Sequence, residues 1–237
     1  MYAQGEYARA VALQEEGLCL SRDTGDPRNI ALSLNNLADA TAGLGDNARA
    51  VILYGESLEL LRGLGDRWSV AGALNNLASA LLGQGDYQRA RQLAEESLAI
   101  FRALDSKVGS VYALTTAGDA ALASGEYGRA ARLFVESLPL VWGLGGRMNM
   151  AECLEGLAAV AAADGRAEQA ARLCGAAEGL REATGAVIQP ALRWLYERTL
   201  AAAHDALGEE WFAAARAAGH ALSPEQALDA ALALDAP

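Results

Sequence analysis

Between Arg67 and Gly83 the apolar side chains Val70, Ala71, Leu74, Leu77, Ala78 and Leu81 recur mostly at steps of three and four, with polar residues between them. That spacing lays them along one stripe of an α-helix. A second stripe, Ala90, Leu93, Ala94, Ser97, Leu98 and Phe101, runs through Tyr87 to Leu104. Gly85-Asp86 stands between the two. Glycine takes the left-handed conformation that ends a helix at little cost, and aspartate accepts from the free N–H groups of the next one. Asp66 holds the same capping place ahead of the first stripe. Helices joined by so short a turn lie antiparallel, so residues 66–105 predict one helix pair.

The pair repeats along the chain. Gly5-Glu6-Tyr7-Ala8-Arg9-Ala10 returns as Gly45-Asp46-Asn47-Ala48-Arg49-Ala50, Gly85-Asp86-Tyr87-Gln88-Arg89-Ala90 and Gly125-Glu126-Tyr127-Gly128-Arg129-Ala130, a period of 40 residues. A worn fifth copy follows at Gly165-Arg166-Ala167-Glu168-Gln169-Ala170. A fixed period between about 20 and 50 residues marks a solenoid of stacked modules. Gly25-Asp26, Gly65-Asp66, Gly145-Gly146 and Gly185 mark the junctions between pairs, and Pro27 sits at a first helical position, where proline is tolerated. Asp105-Ser106 replaces glycine at one junction. There Asp105 is required to be left-handed and Ser106 to cap, which makes that junction weaker than its neighbours.

The array reads as residues 1–185, about five units, followed by 186–237. In the second segment a helix runs from the Gln189-Pro190 break through Trp194, Leu195 and Leu200 to Leu207, and Gly208-Glu209-Glu210-Trp211-Phe212 opens another as a drifted sixth pair. Ser223-Pro224-Glu225-Gln226 has the form of a capping box before a short closing helix. At the other end Met1-Tyr2-Ala3-Gln4-Gly5 aligns with Leu81-Leu82-Gly83-Gln84-Gly85, which predicts a first unit truncated to the last turn of its first helix. An end cut in this way is expected to expose Tyr7, Val11 and Leu18 and to favour self-association.

Composition narrows the function. Hydrophobic residues make up 52%, rich in Ala and Leu, with only three Phe, which suits helix–helix packing. The net charge of −11 disfavours nucleic acid and anionic membrane surfaces, both of which require a basic footprint. No apolar run approaches the ~20 residues of a membrane span, and no secretory signal is visible. Cys19, Cys153 and Cys174 are odd in number and lack metal-ligand spacing, so a reduced, cytoplasmic protein is expected.

The small-residue pattern and the Gly-Asp-Tyr turn, with Ala90 three residues after Tyr87, resemble a tetratricopeptide repeat of long, 40-residue type over residues 1 to about 183. Leu34-Asn35-Asn36-Leu37-Ala38 and Leu74-Asn75-Asn76-Leu77-Ala78 resemble the branch found in kinesin light chains and many bacterial regulators. The resemblance implies an all-α, right-handed superhelix of antiparallel helix pairs. The tail carries a second one. Leu154-Glu155-Gly156-Leu157-Ala158, the segment from Ala170 to Glu178, Gly208-Glu209-Glu210-Trp211-Phe212 and Ala221-Leu222-Ser223-Pro224-Glu225-Gln226-Ala227 together resemble the C-terminal region of actinobacterial LuxR/STAND-type ATPase transcriptional regulators. That implies the sensor or scaffold arm of a larger regulator, with a free-standing scaffold as the alternative.

Sites for chemistry are sparse. There is no GxxxxGK[ST] phosphate cradle, no nucleophile triad and no paired-carboxylate site, so no enzyme and no cofactor are expected. His204 and His220, the two histidines, are not expected to form a metal site with Asp205. In the resembled family the first helix of each pair lines the concave face. At about 100° per residue, Leu32, Asn35 and Asp39 share one sector, as do Asn75 and Ser79, Tyr112, Thr115 and Asp119, and Glu152 and Glu155. Asn35, Asn75 and Thr115 are placed to hydrogen-bond either the backbone of an extended peptide or the neighbouring helices. The row carries carboxylates and no Lys or Arg, so the expected partner is a protein or peptide segment that is neutral or basic.

Overall fold

The computed structural model describes residues 2–189 and 192–233, with side chains from residue 6 onward, and Pro190 therefore lies outside the described residues. All secondary structure among them is helical. The chain forms two compact units, Met1–Gly109 and Ser110–Pro237. The first holds α1 (Tyr2–Thr24), α2 (Pro27–Gly43), α3 (Asn47–Leu64), α4 (Arg67–Gln84) and α5 (Tyr87–Ala103). α6 (Lys107–Ala123) begins there and continues into the second unit, followed by α7 (Tyr127–Leu144), α8 (Arg147–Ala163), α9 (Ala167–Thr184), α10 (Arg193–Leu207), α11 (Glu209–His220) and α12 (Pro224–Leu232).

In the first unit each helix packs on the next, α1 on α2 through α4 on α5. The turns follow from their residues. Gly25, Gly45, Gly65 and Gly85 have φ of 71°, 89°, 68° and 83°. Asp26, Asp46, Asp66 and Asp86 each accept a backbone N–H of the following helix. Asp105 takes φ 50°, and the Ser106 hydroxyl accepts from Gly109 N at 3.2 Å. The apolar stripes are buried: Leu34, Leu37 and Ala38 of α2 and Leu74, Leu77 and Ala78 of α4 are at most 3% exposed. Within each pair a serine of the second helix ties the first. Ser57 Oγ donates to the Ala31 carbonyl at 2.8 Å, and Ser97 Oγ to the Ala71 carbonyl at 2.7 Å.

The N-terminal end differs from expectation. α1 is continuous from Tyr2, so Gly5-Glu6 lies inside a helix instead of at a turn. The later glycines turn because a preceding helix must reverse there, whereas α1 simply propagates. Val11 and Leu18 are 9% and 5% exposed, so they belong to the core and not to an open end. On α1 the exposed apolar side chains are Tyr7, Leu13 and Leu20.

The second unit is built on α9. Phe134, Leu138 and Val141 of α7 meet Leu154 and Leu157 of α8 and Leu173 and Cys174 of α9 in one core, which Leu195 of α10 and Leu228 of α12 extend. The aromatic ring of Phe134 reaches across α6 and α8 because glycine stands opposite it twice: a Cβ on Gly118 or Gly156 would come within 2.7 or 2.3 Å of the ring. α10 and α11 each pack on α9 more than on each other. α11 approaches α9 backbone to backbone, since a Cβ on Gly175 would lie 2.0 Å from the Arg216 carbonyl oxygen and one on Gly219 1.8 Å from that of Arg172. α12 opens with the capping box read from the sequence: Gln226 N donates to Ser223 Oγ at 3.2 Å, and Ser223 N to Gln226 Oε1 at 2.9 Å.

Candidate functional site

In the first unit, α2 carries Leu32, Asn35 and Asp39, and α4 carries Asn75 and Ser79. They occupy the helix faces turned away from the buried Leu-Leu-Ala stripes. Leu32 is 48% exposed, while Asn35, Asn75 and Ser79 are half-buried. The Oδ1 atoms of Asn35 and Asn75 are both buried and neither receives a hydrogen bond. Two amide oxygens one repeat apart are therefore left without donors. Asp39 keeps contact with solvent but accepts a short hydrogen bond from the hydroxyl of Tyr54 on α3. Burial of this face raises the Asp39 carboxyl above its usual range, and the Tyr54 bond opposes that rise. Burial and the neighbouring Asp39 charge in turn push the Tyr54 hydroxyl upward.

The candidates of the second unit are arranged differently. Tyr112 is 44% exposed. Thr115 is buried, and its hydroxyl bonds the Val111 and Tyr112 carbonyls of its own helix at 3.1 and 2.9 Å. That back-bonding is a habit of helical threonine, and it occupies the donor an asparagine would have offered outward. Asp119, Glu152 and Glu155 come together around a cavity of about 30 Å³, alongside Arg181, Gln189 and Tyr196. Gln189 Nε2 donates to Glu152 Oε1 at 3.2 Å. Arg181 donates twice to Glu155, Nε to Oε1 at 2.5 Å and Nη2 to Oε2 at 2.7 Å, and a third time to the Val187 carbonyl at 2.8 Å. Asp119 is 9% exposed. Burial, and then the charges of Glu152 and Glu155, hold its carboxyl well above the ordinary range.

Arg181 corrects the sequence reading of a carboxylate row without a cation. It lies on the second helix of its pair, where side chains were taken to face the core. The residues at the equivalent place in earlier repeats are Leu61, Phe101 and Val141, all buried. Arg181 is nearly as buried, and its long side chain reaches the first helix of the same pair. Glu155 departs from the repeat in step with it, since the equivalent positions hold Asn35, Asn75 and Thr115. Comparing each column of the 40-residue repeat reveals this paired change, whereas reading one helix at a time hides it.

Cys153 and Cys174 are buried free thiols, and desolvation is the leading cause that pushes both upward, away from reactive thiolates. Among the described residues, no group of three or more His, Cys, Asp or Glu is placed to hold a metal, and no helix is long and apolar enough to cross a membrane.

A solenoid of antiparallel helix pairs with glycine-aspartate turns is the architecture of tetratricopeptide-type proteins. Two tetratricopeptide-repeat family models match this chain, one over residues 69–141 and one over residues 30–64. Residues 30–64 and 69–141 thus carry tetratricopeptide repeats, which generally serve as non-catalytic surfaces for protein partners. A search of the curated proteins finds no match. Among solved structures, BtubC (BKLC) from P. vanneervenii superposes with a TM-score of 0.64 at 22% identity, over 78% of this chain and 76% of that one. A putative kinesin light chain of Podosopora anserina with nearly identical TPR-like repeats is also similar. A point variant of it gives 0.60 at 20% identity and a second structure 0.58 at 19%, each over 76% of this chain and 89% of that one. At these identities the likeness is one of fold.

Proposed function

We propose that this chain is a non-catalytic module that holds an extended segment of a protein partner along the first unit, through Asn35 and Asn75. The observation that carries this reading is the pair of buried, donor-free Oδ1 atoms on α2 and α4. An unsatisfied buried acceptor costs free energy, and rotation of either half-exposed side chain toward a bound peptide lets a backbone N–H relieve it. Leu32 offers exposed apolar surface beside them, and Asp39, together with the chain's net charge of −11, favours a neutral or basic segment over an acidic one. Tyr112, which is also exposed, is a candidate contact in the second unit.

The test is a peptide-display selection on the full chain, followed by affinity measurement with Asn35→Ala and Asn75→Ala. Each substitution is expected to weaken selected peptides by about tenfold and to leave the fold as stable as before, since it also deletes an unsatisfied group. Selection of predominantly acidic peptides, or unchanged affinity in both variants, overturns the reading.

The tail strings resembling LuxR/STAND regulators support a role as the sensor or scaffold arm of a larger transcriptional regulator. A free-standing scaffold that recruits partner proteins is the alternative. Sequencing the flanking reading frame separates them: a P-loop ATPase and a DNA-binding domain are expected for the first, and their absence favours the second. Self-association is assigned to Leu13 and Leu20 on α1, which are 57% and 67% exposed. Sedimentation that detects a dimer unchanged by Leu13→Glu with Leu20→Glu excludes that face.

A further inference from the structure

The cavity of the second unit is independent of the Asn35/Asn75 surface, and the chemistry of its wall is unbalanced. Three carboxyl groups, Asp119, Glu152 and Glu155, face a single guanidinium, Arg181. Arg181 is spent on Glu155 and the Val187 carbonyl, and Glu152 takes the Gln189 amide. Asp119 alone has no hydrogen-bond donor among the described residues, although it is only 9% exposed and lines the cavity directly.

The repeat shows what differs around Asp119. Asp39 and Asp119 are equivalent residues two periods apart, and so are Tyr54 and Phe134. Tyr54 gives its hydroxyl to Asp39. Phe134, fully buried, keeps the aromatic ring and lacks the oxygen. A buried carboxyl without a donor is costly and uncommon in native proteins. One in a cavity of about 30 Å³, where about 10–15 Å³ accommodates a water, has both the need and the room for a small donor.

The wall defines that donor. A donor without an acceptor suits it, because its neighbours are carboxyl oxygens, and positive charge suits it when Asp119 is ionised, because three carboxyls then face one guanidinium. The described carboxylates are not grouped as ligands of one metal ion. An ammonium group carries three N–H donors in a compact head and accepts nothing. We propose that this cavity binds a primary ammonium group, with Asp119 as its principal acceptor and Glu152 as its second.

The experiment is a titration of the full chain with methylammonium chloride, followed by amide and side-chain NMR shifts, against potassium chloride at equal ionic strength. Saturable shifts at α6, α8 and the Ala186–Gln189 segment are expected. Tetramethylammonium, equally charged but without N–H donors, is expected to leave them unmoved. Asp119→Asn is expected to weaken methylammonium by at least about tenfold while the chain remains folded. Nα-acetyl-lysine amide separates two sources of the same chemistry: tighter binding than methylammonium indicates a lysine side chain of a partner, and weaker binding a free amine. Equal response to tetramethylammonium, undiminished binding in Asp119→Asn, or no saturation by either amine overturns the proposal. These outcomes are read at residues that Asn35→Ala and Asn75→Ala do not alter, so either proposal stands or falls alone.

Discussion

Phe134 stands to Asp119 as Tyr54 stands to Asp39, fifteen residues further along the chain, on the second helix of the same pair, and it brings no hydroxyl. The carboxylate of the first unit thus has a phenolic donor at that repeat position, and the one in the second has none.

Removing the hydroxyl from the satisfied pair gives the first prediction. Tyr54→Phe is expected to cost about 0.5–1.5 kcal/mol at neutral pH, because the buried Tyr54 side chain loses its hydrogen bond to Asp39, which itself keeps contact with solvent. The same change removes an influence that lowers the Asp39 pKa. The cost therefore shrinks as pH falls and Asp39 becomes protonated. Urea unfolding of both proteins at acidic and neutral pH measures it, and a cost independent of pH contradicts the pairing.

Asp119→Asn is expected to act in the opposite sense. The Asp119 pKa in the folded chain is raised well above 3.8, its ordinary value, first by burial. Between the unfolded and folded values the native state holds more protons than the unfolded one, so stability contributed by this group falls as pH rises. Glu152 and Glu155 are raised as well and work in the same direction. The asparagine variant is expected to match the parent below about pH 4 and to gain on it above, the gap widening until Asp119 is ionised in the folded chain and staying constant beyond. A stability gap that does not widen with rising pH refutes the assignment.

The Arg181–Glu155 pair predicts strong non-additivity. Arg181→Leu alone leaves Glu155 buried without its cation, at a cost of about 3–5 kcal/mol. Combining it with Glu155→Asn restores the residues found at Leu61 and Asn35 in an earlier repeat, and the double variant is expected to lie near the parent. A double-mutant cycle by urea denaturation reads the coupling. Additive losses show that the two side chains do not depend on each other.

The contact between α9 and α11 depends on two glycines. Gly175→Ala or Gly219→Ala places a methyl group against a backbone carbonyl, which cannot move aside as a side-chain tip does. Each is expected to cost about 1–3 kcal/mol and to raise hydrogen exchange across α11. Gly17→Ala is the control. That glycine lies inside α1 with open space around its missing Cβ, so the substitution is expected to stabilise by about 0.5–1 kcal/mol.

From α2 to α9 the helices, their turns and the apolar core stripes were legible in the 40-residue repeat, because each is decided by residues within one or two helical turns; Gly5, inside α1, was not. A glycine reverses the chain, an aspartate beside it caps, and leucines at steps of three and four find one face. Even Asp105, the departure from glycine, was readable as a left-handed residue. The site was legible only in part. Asn35, Asn75, Asp39 and Asp119 could be placed on one helix sector from their spacing, but whether each finds a hydrogen-bond partner depends on other helices. Only tertiary structure decided that Tyr54 reaches Asp39, that Arg181 reaches Glu155, and that Gly175 and Gly219 let α11 close on α9. Most of those relationships depend on burial, and burial is a property of what packs above a residue. Here that chain lies from 15 positions away, Asp39 to Tyr54, to 47, Arg172 to Gly219. The amino-acid sequence determined which groups are present and which helix face they share; desolvation and distance, set by packing, determined which of them remain without a partner.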